Sequence, residues 1–241
     1  MAHVSTRPAP KVRSWKPRLL KGGSLEIIAS ELPANRVCGD ISDVFQANEH
    51  SMLIAMGDAS GHGVAAGMLI VDGRRLLAMM ASSGYSPGDM IGKVNQHVMK
   101  RFPSSRFVTL SLVEVDLASG RMNFASAGQP FYRLNAAGET IKCDSDNAPI
   151  GVIDDEVFPT LPLEPLAAGD SLILISDGFR EALNNEDLMY GEPRMYEQFA
   201  AGRAEPSSQL IDRLYADVDQ YKNGNTEHDD MTVVLVRLTP G

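Results

Sequence analysis

Short apolar runs that end at or begin beside an aspartate, separated by stretches with helical spacing, dominate the hydrophobic pattern of this chain. Residues 25–30 and 51–56 are mainly apolar segments of strand length, and the second runs directly into Gly57-Asp58. Over residues 64–82 apolar positions recur at helical spacing (Leu69, Leu76, Met79, Met80), with Asp72, Arg74 and Arg75 on other faces, which predicts a helix. A second helix is predicted from Pro87 to about Arg101: Ser86 can cap it, Pro87 suits its first turn, and Met90, Ile91, Val94 and Val98 form its apolar stripe. The pattern then turns β-rich at 107–115 and 121–127, joined by a hairpin turn over 116–120, with a third strand at 131–134. Two more strands are predicted, 171–176 ending at Asp177-Gly178 and 231–238 beginning just after Asp229-Asp230. Helical patterning returns at 193–201 and 207–221. Strands and helices in blocks argue for α+β layers rather than a doubly wound parallel sheet.

Residues 1–24 stand outside this pattern. They hold Pro8, Pro10 and Pro17, close on Gly22-Gly23, and carry six of the 22 Lys and Arg residues ahead of the first acidic residue, Glu26. That composition predicts a basic flexible arm or regulatory junction, with residues 25–241 as one folded domain. The lone Trp15 in the arm is expected to dock onto this protein or another. With the arm set aside, the rest of a chain whose formal net charge is −9 is strongly acidic, which argues against nucleic acid as a partner and suits divalent cations. Cys38 and Cys143 are the only cysteines and no secretory apolar segment precedes them, so neither a disulfide framework nor a cysteine zinc site is expected. No apolar run reaches the ~18 residues of a membrane span, so no membrane partner and a cytoplasmic location are expected.

Four places set Asp beside Gly or a second Asp at the boundary of an apolar strand: Gly39-Asp40, Gly57-Asp58, Asp177-Gly178 and Asp229-Asp230. Mg²⁺ and Mn²⁺ take oxygen ligands in near-octahedral geometry and keep several waters, so a few short, rigidly held carboxylates suffice to bind them. A single Asp-Gly pair is more often a plain turn. Four together, with adjacent acids at Asp229-Asp230 that would repel one another without a cation, point to a polynuclear carboxylate site.

Five segments carry a family resemblance: Cys-Gly-Asp-Ile-Ser-Asp-Val-Phe (38–45), Gly-Asp-Ala-Ser-Gly-His-Gly-Val-Ala-Ala (57–66), Ser-Ala-Gly-Gln-Pro (126–130), Ile-Ser-Asp-Gly-Phe-Arg-Glu-Ala (175–182) and His-Asp-Asp-Met-Thr-Val-Val (228–234). In this order they resemble the motifs of the SpoIIE-like phosphatases, members of the metal-dependent, PP2C-like PPM superfamily of serine/threonine phosphatases. The resemblance spans roughly residues 25–238. It implies an αββα sandwich, two antiparallel sheets flanked by helices, with two Mn²⁺ or Mg²⁺ ions at one edge. By motif, Asp40 and Asp58 are expected to bind metal directly, Asp58 bridging both ions, with the Ala59 carbonyl as a further ligand and Asp177 and Asp229 completing the set. Asp43 and Asp230 are expected to hold metal-bound water or to orient the ligands. A hydroxide held between two cations is a nucleophile at neutral pH, so these aspartates are the expected catalytic residues. His62, in Ser60-Gly-His-Gly63, can protonate a leaving group or meet the phosphate; a packing or capping role is an equal alternative. Two positions depart from the common pattern: Cys38 stands where family members usually carry Gly, and Gln129 where they carry His. Gln129 can hydrogen-bond but cannot shuttle a proton near neutral pH.

The same resemblance implies a phosphoserine or phosphothreonine substrate on a bacterial regulatory protein, of the STAS-type anti-sigma-factor antagonist class. It also implies control by a sensor or partner protein, with residues 1–24 as a junction to a regulator or with a partner binding directly. One competing reading is a catalytically weak protein-binding module of the same fold, against which the four retained aspartates speak. Another is a metal phosphoesterase for small molecules, for which the chain offers no base- or sugar-reading motif. Met56, Met68, Met79 and Met80 are expected in the core.

Overall fold

The computed structural model describes residues 9–20, 22–34, 38–61, 64–102, 106–225 and 229–241. In chain order its elements are β1 (Lys11–Leu20), β2 (Gly23–Leu32), β3 (Asp40–Asn48), β4 (Ser51–Ala59), α1 (Val64–Ala81), α2 (Pro87–Arg101), β5 (Val108–Asp116), β6 (Met122–Ala127), β7 (Phe131–Leu134) and β8 (Thr140–Cys143), then β9 (Leu161–Leu163), β10 (Ser171–Ile175), α3 (Asp177–Arg180), α4 (Gly191–Gly202), α5 (Ser207–Lys222) and β11 (Met231–Pro240). Two antiparallel sheets result, one in the order β1-β2-β11-β10-β7-β8 and the other β3-β4-β5-β6-β9.

The layering follows from strands that are apolar on both faces. In β4, Met52, Ile54 and Met56 point between the sheets, while Leu53 and Ala55 point towards α1 and α2. In β11, Val234, Val236 and Leu238 face the other sheet, and Met231, Val233 and Leu235 face α4 and α5. Such strands read as continuous apolar runs because helices cover the face that would otherwise meet water. Three apolar clusters therefore stack as helices, sheet, sheet, helices: the αββα sandwich that the motifs imply. Local signals fall where they act. The Ser86 hydroxyl accepts from the Asp89 N–H at 3.3 Å and donates to the Asp89 carboxylate at 2.7 Å, capping α2. At the β5–β6 hairpin the Asp116 carboxylate accepts from the N–H groups of Ala118 and Ser119, and Gly120 turns with φ at 76°. Among the described residues, no helix is long and apolar enough to cross a membrane.

The structure departs from the sequence reading in three ways. Residues 11–20 are an edge strand rather than an arm outside the fold, paired along their length with β2. Their strand character is hidden because Val12 and Leu19 face solvent, while only Trp15 and Leu20 turn to the core between the sheets. Pro17 sits in a register break between Trp15 and Arg18, where an edge strand tolerates it. The basic residues serve this packing: Arg13 hydrogen-bonds Glu31 of β2 and Ser42 of β3, and Arg18 reaches Gln46 of β3, so β1 laces the two sheets together. The second correction concerns the methionines. Met56 and Met80 are buried, but Met68 and Met79 are 55% and 70% exposed, because α1 lies on its sheet along one face only. Third, β8, β9 and α3, which have only three or four residues each, escape a reading that depends on periodicity.

Deleting residues 1–20 would bare the β2 edge and remove the Arg13 and Arg18 ties. The thermal midpoint is expected to fall by about 4 °C or more, the response of a chain of this size to a loss of roughly 2 kcal/mol. An unchanged midpoint in calorimetry would return the segment to the standing of an arm.

Candidate metal centre

Strand pairing brings the predicted aspartates to one end of the sandwich. In the five-stranded sheet, Asp40 opens β3 directly opposite Asp58, the penultimate residue of β4. In the six-stranded sheet, Ile175 at the end of β10 pairs with Val233 near the start of β11, so the residues that follow β10 and precede β11 emerge side by side. These are Asp177, the first residue of α3, and Asp229-Asp230. Gly178 permits this approach, since a Cβ there would lie 2.1 Å from the Asp230 carbonyl oxygen. Carboxylate oxygens of Asp58, Asp177 and Asp229 lie within 4.8 Å of one another, although the three residues come from two sheets.

Asp40 is 6% exposed, and its Oδ2 has no hydrogen-bond partner among the described residues. Beside it Gly39 keeps a small space open: a Cβ at that position would fall 3.3 Å from Asp58 Oδ1, 3.6 Å from the Ala59 carbonyl oxygen and 3.6 Å from Asp230 Oδ2. The proton affinities reflect this crowding. Burial, and then the charge of Asp58, hold Asp40 well above the usual carboxylate range. Burial, followed by Asp177, Asp229 and Asp230, pushes Asp58 up to about 8, and burial also raises Asp229. An unpartnered buried oxygen, an all-oxygen donor set and mutual repulsion are what a hard divalent cation would relieve, so the residues fit Mg²⁺ or Mn²⁺.

The other predicted residues divide. The Ala59 carbonyl lies at the same opening as Asp58. Asp230 accepts from the N–H groups of Ala34 at 2.7 Å and of Gly39, tying the segment ahead of β3 to the start of β11. Asp43 is drawn elsewhere. Strand alternation puts it on the Ile41 side of β3, facing α1, where Arg74 takes its carboxylate at 2.6 Å. His62 lies outside the described residues. Arg180 was not anticipated; it approaches Asp177 at 3.7 Å and Glu181 at 2.9 Å from the solvent side. Its signal was its place three residues after Asp177 in a motif already singled out.

The sandwich has the fold of PP2C-like phosphatase domains: it matches the structure entitled "SiaA-PP2C domain of Pseudomonas aeruginosa" with a TM-score of 0.77 at 22% identity, covering 87% of this chain and 85% of that one. The chain belongs to the family described as Stage II sporulation protein E (SpoIIE), whose model matches residues 48–239. Stage II sporulation protein E of Bacillus subtilis (strain 168) is 28% identical over 205 residues, covering 84% of this chain and 24% of that protein. Phosphoserine phosphatase RsbU of the same organism is 21% identical over 216 residues, covering 89% of this chain and 63% of that protein. The chain thus spans less than two thirds of the length of either relative.

Raised carboxyl groups bind protons more tightly in the folded than in the unfolded chain. Their contribution is fully present below the unfolded value near 4 and is lost as pH rises towards the value of about 8 at Asp58. In chelator, the thermal midpoint is therefore expected to fall between about pH 5 and about pH 8.5. Mn²⁺ or Mg²⁺ should raise the midpoint more at the upper end of that window, because ions and protons compete for the same oxygens. A metal-free midpoint that climbs across the window would contradict this electrostatic picture.

Proposed function

We propose that this chain is a metal-dependent protein serine/threonine phosphatase. The observation that carries the reading is the convergence of Asp58, Asp177 and Asp229 from two sheets, with Asp58 opposite a buried Asp40 whose Oδ2 has no hydrogen-bond partner among the described residues. In this reading Asp40, Asp58, Asp177, Asp229 and the Ala59 carbonyl hold two ions, Mn²⁺ or Mg²⁺. Once bound, the ions supply an activated water for attack on phosphorus and neutralise the phosphoryl oxygens. The protein's own contribution is placement. Asp230 fixes the backbone ahead of Asp40, and Arg180 stands beside Asp177 at the solvent side, where a phosphate dianion arrives. His62 is retained as a candidate for protonating the leaving serine oxygen.

A site at the edge of the sandwich, with half-buried Asp58 and Asp177 and exposed Asp229, suits a phosphorylated side chain presented by another protein. Membership of the SpoIIE family and likeness to a protein named a phosphoserine phosphatase support phosphoserine as the substrate group. A regulatory phosphoprotein of the STAS-type anti-sigma-factor antagonist class is the corresponding partner, and control by a sensor or partner protein belongs to the same reading.

The test is phosphate release from a phosphoserine peptide with Mn²⁺, with Mg²⁺ and with chelator, for the native chain beside Asp177→Asn. Turnover is expected only with metal. It should drop by roughly 100-fold or more in the variant, since loss even of groups that support metal ligands costs 10–100-fold. Equal rates for the two proteins would dismiss the carboxylate mechanism. Failure of the native chain to bind either metal would leave the protein-binding module.

A further inference from the structure

The two sheets that carry the carboxylates are also joined at this end by a buried amide side chain, which cannot titrate. Gln129 lies between β6 and β7 and is 5% exposed. Its Oε1 accepts from the Thr109 hydroxyl at 2.9 Å, and its Nε2 donates to the Ile175 carbonyl at 2.8 Å. Thr109 belongs to β5 and sits directly opposite Asp58. Ile175 ends β10, two residues before Asp177. One amide therefore links the cross-strand partner of Asp58 to the strand end two residues before Asp177, on different sheets. Its orientation is fixed chemically, because exchanging O and N would set two oxygens against each other at Ile175.

The tie replaces a missing backbone bond. Leu174 pairs with Phe131 in the β10–β7 ladder, so the next position of the register is Pro130, which has no N–H to give. The Gln129 amide supplies a donor to the Ile175 carbonyl instead. The Gln129 backbone is held in turn, its carbonyl accepting from the Ser111 hydroxyl of β5. A second chain of bonds closes on the far side of the cluster. Ser176 donates to the Asp230 carbonyl at 3.1 Å, the Asp230 carboxylate accepts from Gly39 N–H, and Gly39 precedes Asp40, which faces Asp58. The carboxylates thus sit inside a ring of hydrogen bonds that Gln129 completes.

We propose that Gln129 is a positioning residue that sets the separation between the Asp40–Asp58 pair and Asp177–Asp229, and so the affinity of the site for divalent metal. The inference rests on the metal reading above. Replacing the amide with an apolar side chain of similar size keeps the packing but frees the sheet ends, which the repulsion among the aspartates then drives apart.

Mn²⁺ titration calorimetry, run beside thermal melts in chelator, tests this with three variants. Gln129→Leu is expected to weaken Mn²⁺ binding about 10- to 100-fold, the range for groups that orient metal ligands. Thr109→Val, which removes one end of the tie, should weaken it in the same direction by less. Gln129→His should stay within about threefold of native, because neutral imidazole offers one donor and one acceptor. Native affinity in Gln129→Leu, with or without a lower midpoint, would make Gln129 a packing residue only and overturn the inference. Should Gln129→Leu fail to fold, Thr109→Val decides, and native affinity there overturns it equally. A native chain that binds no Mn²⁺ would instead overturn the metal reading, and this inference with it.

Discussion

Like charge held close in a poorly solvated place is the constraint on which this architecture turns. Asp40 and Asp58 face each other across a strand pair, and Asp177 and Asp229 meet them from a second sheet. Each would be more stable apart. What keeps them together is remote from them: the apolar clusters between the sheets and beneath the helices, in which β4 and β11 are buried on both faces. The core offsets the repulsion, and a cation would convert the arrangement from a liability into a site.

Placing the acids at strand ends gives them rigidity without burying them beyond reach. Asp177 and Asp229, just beyond their ladder, inherit the register of the sheet while their side chains still meet solvent at the edge, whereas Asp40 and Asp58 are fixed within theirs and Asp40 is buried. Asp230 and Ser176 show how much of the local polarity serves this placement. The first holds the backbone at Ala34 and Gly39, and the second bridges β10 to the start of β11 through Asp230 and Thr232. The polar groups around the cluster are therefore framework as much as chemistry.

Much of this was legible in the chain itself. The α2 cap at Ser86, the apolar stripe from Met90 to Val98 and the hairpin at Asp116 are local signals, and local signals survive into the fold. The aspartates were legible because their neighbours, Gly and the ends of apolar runs, are themselves unusual in combination. What stayed hidden depends on distant partners. Nothing near Lys11–Leu20 announces a strand, since its stability comes from pairing with β2 and from Arg13 and Arg18 reaching β3. Asp43 stands at a motif position that the family resemblance marks as a site residue, yet alternation along β3 and the presence of Arg74 on α1 assign it to the helix layer. Gln129 could be seen as a departure from a motif, but its two partners, 20 and 46 residues away, could not.

The position of β11 bears on how the molecule comes into being. It is the last of the described strands in the chain, yet it lies inside its sheet between β2 and β10, pairing with residues some two hundred positions earlier, as Leu32 with Met231. A chain emerging from the ribosome can form the β3–β4–β5–β6 meander and seat α1 and α2 on it early, because those contacts are near in sequence. The other sheet must wait with two unpaired edges until its central strand arrives. Asp229 and Asp230 arrive with it, so during synthesis the acidic cluster can be completed only after the other strands of both sheets have emerged.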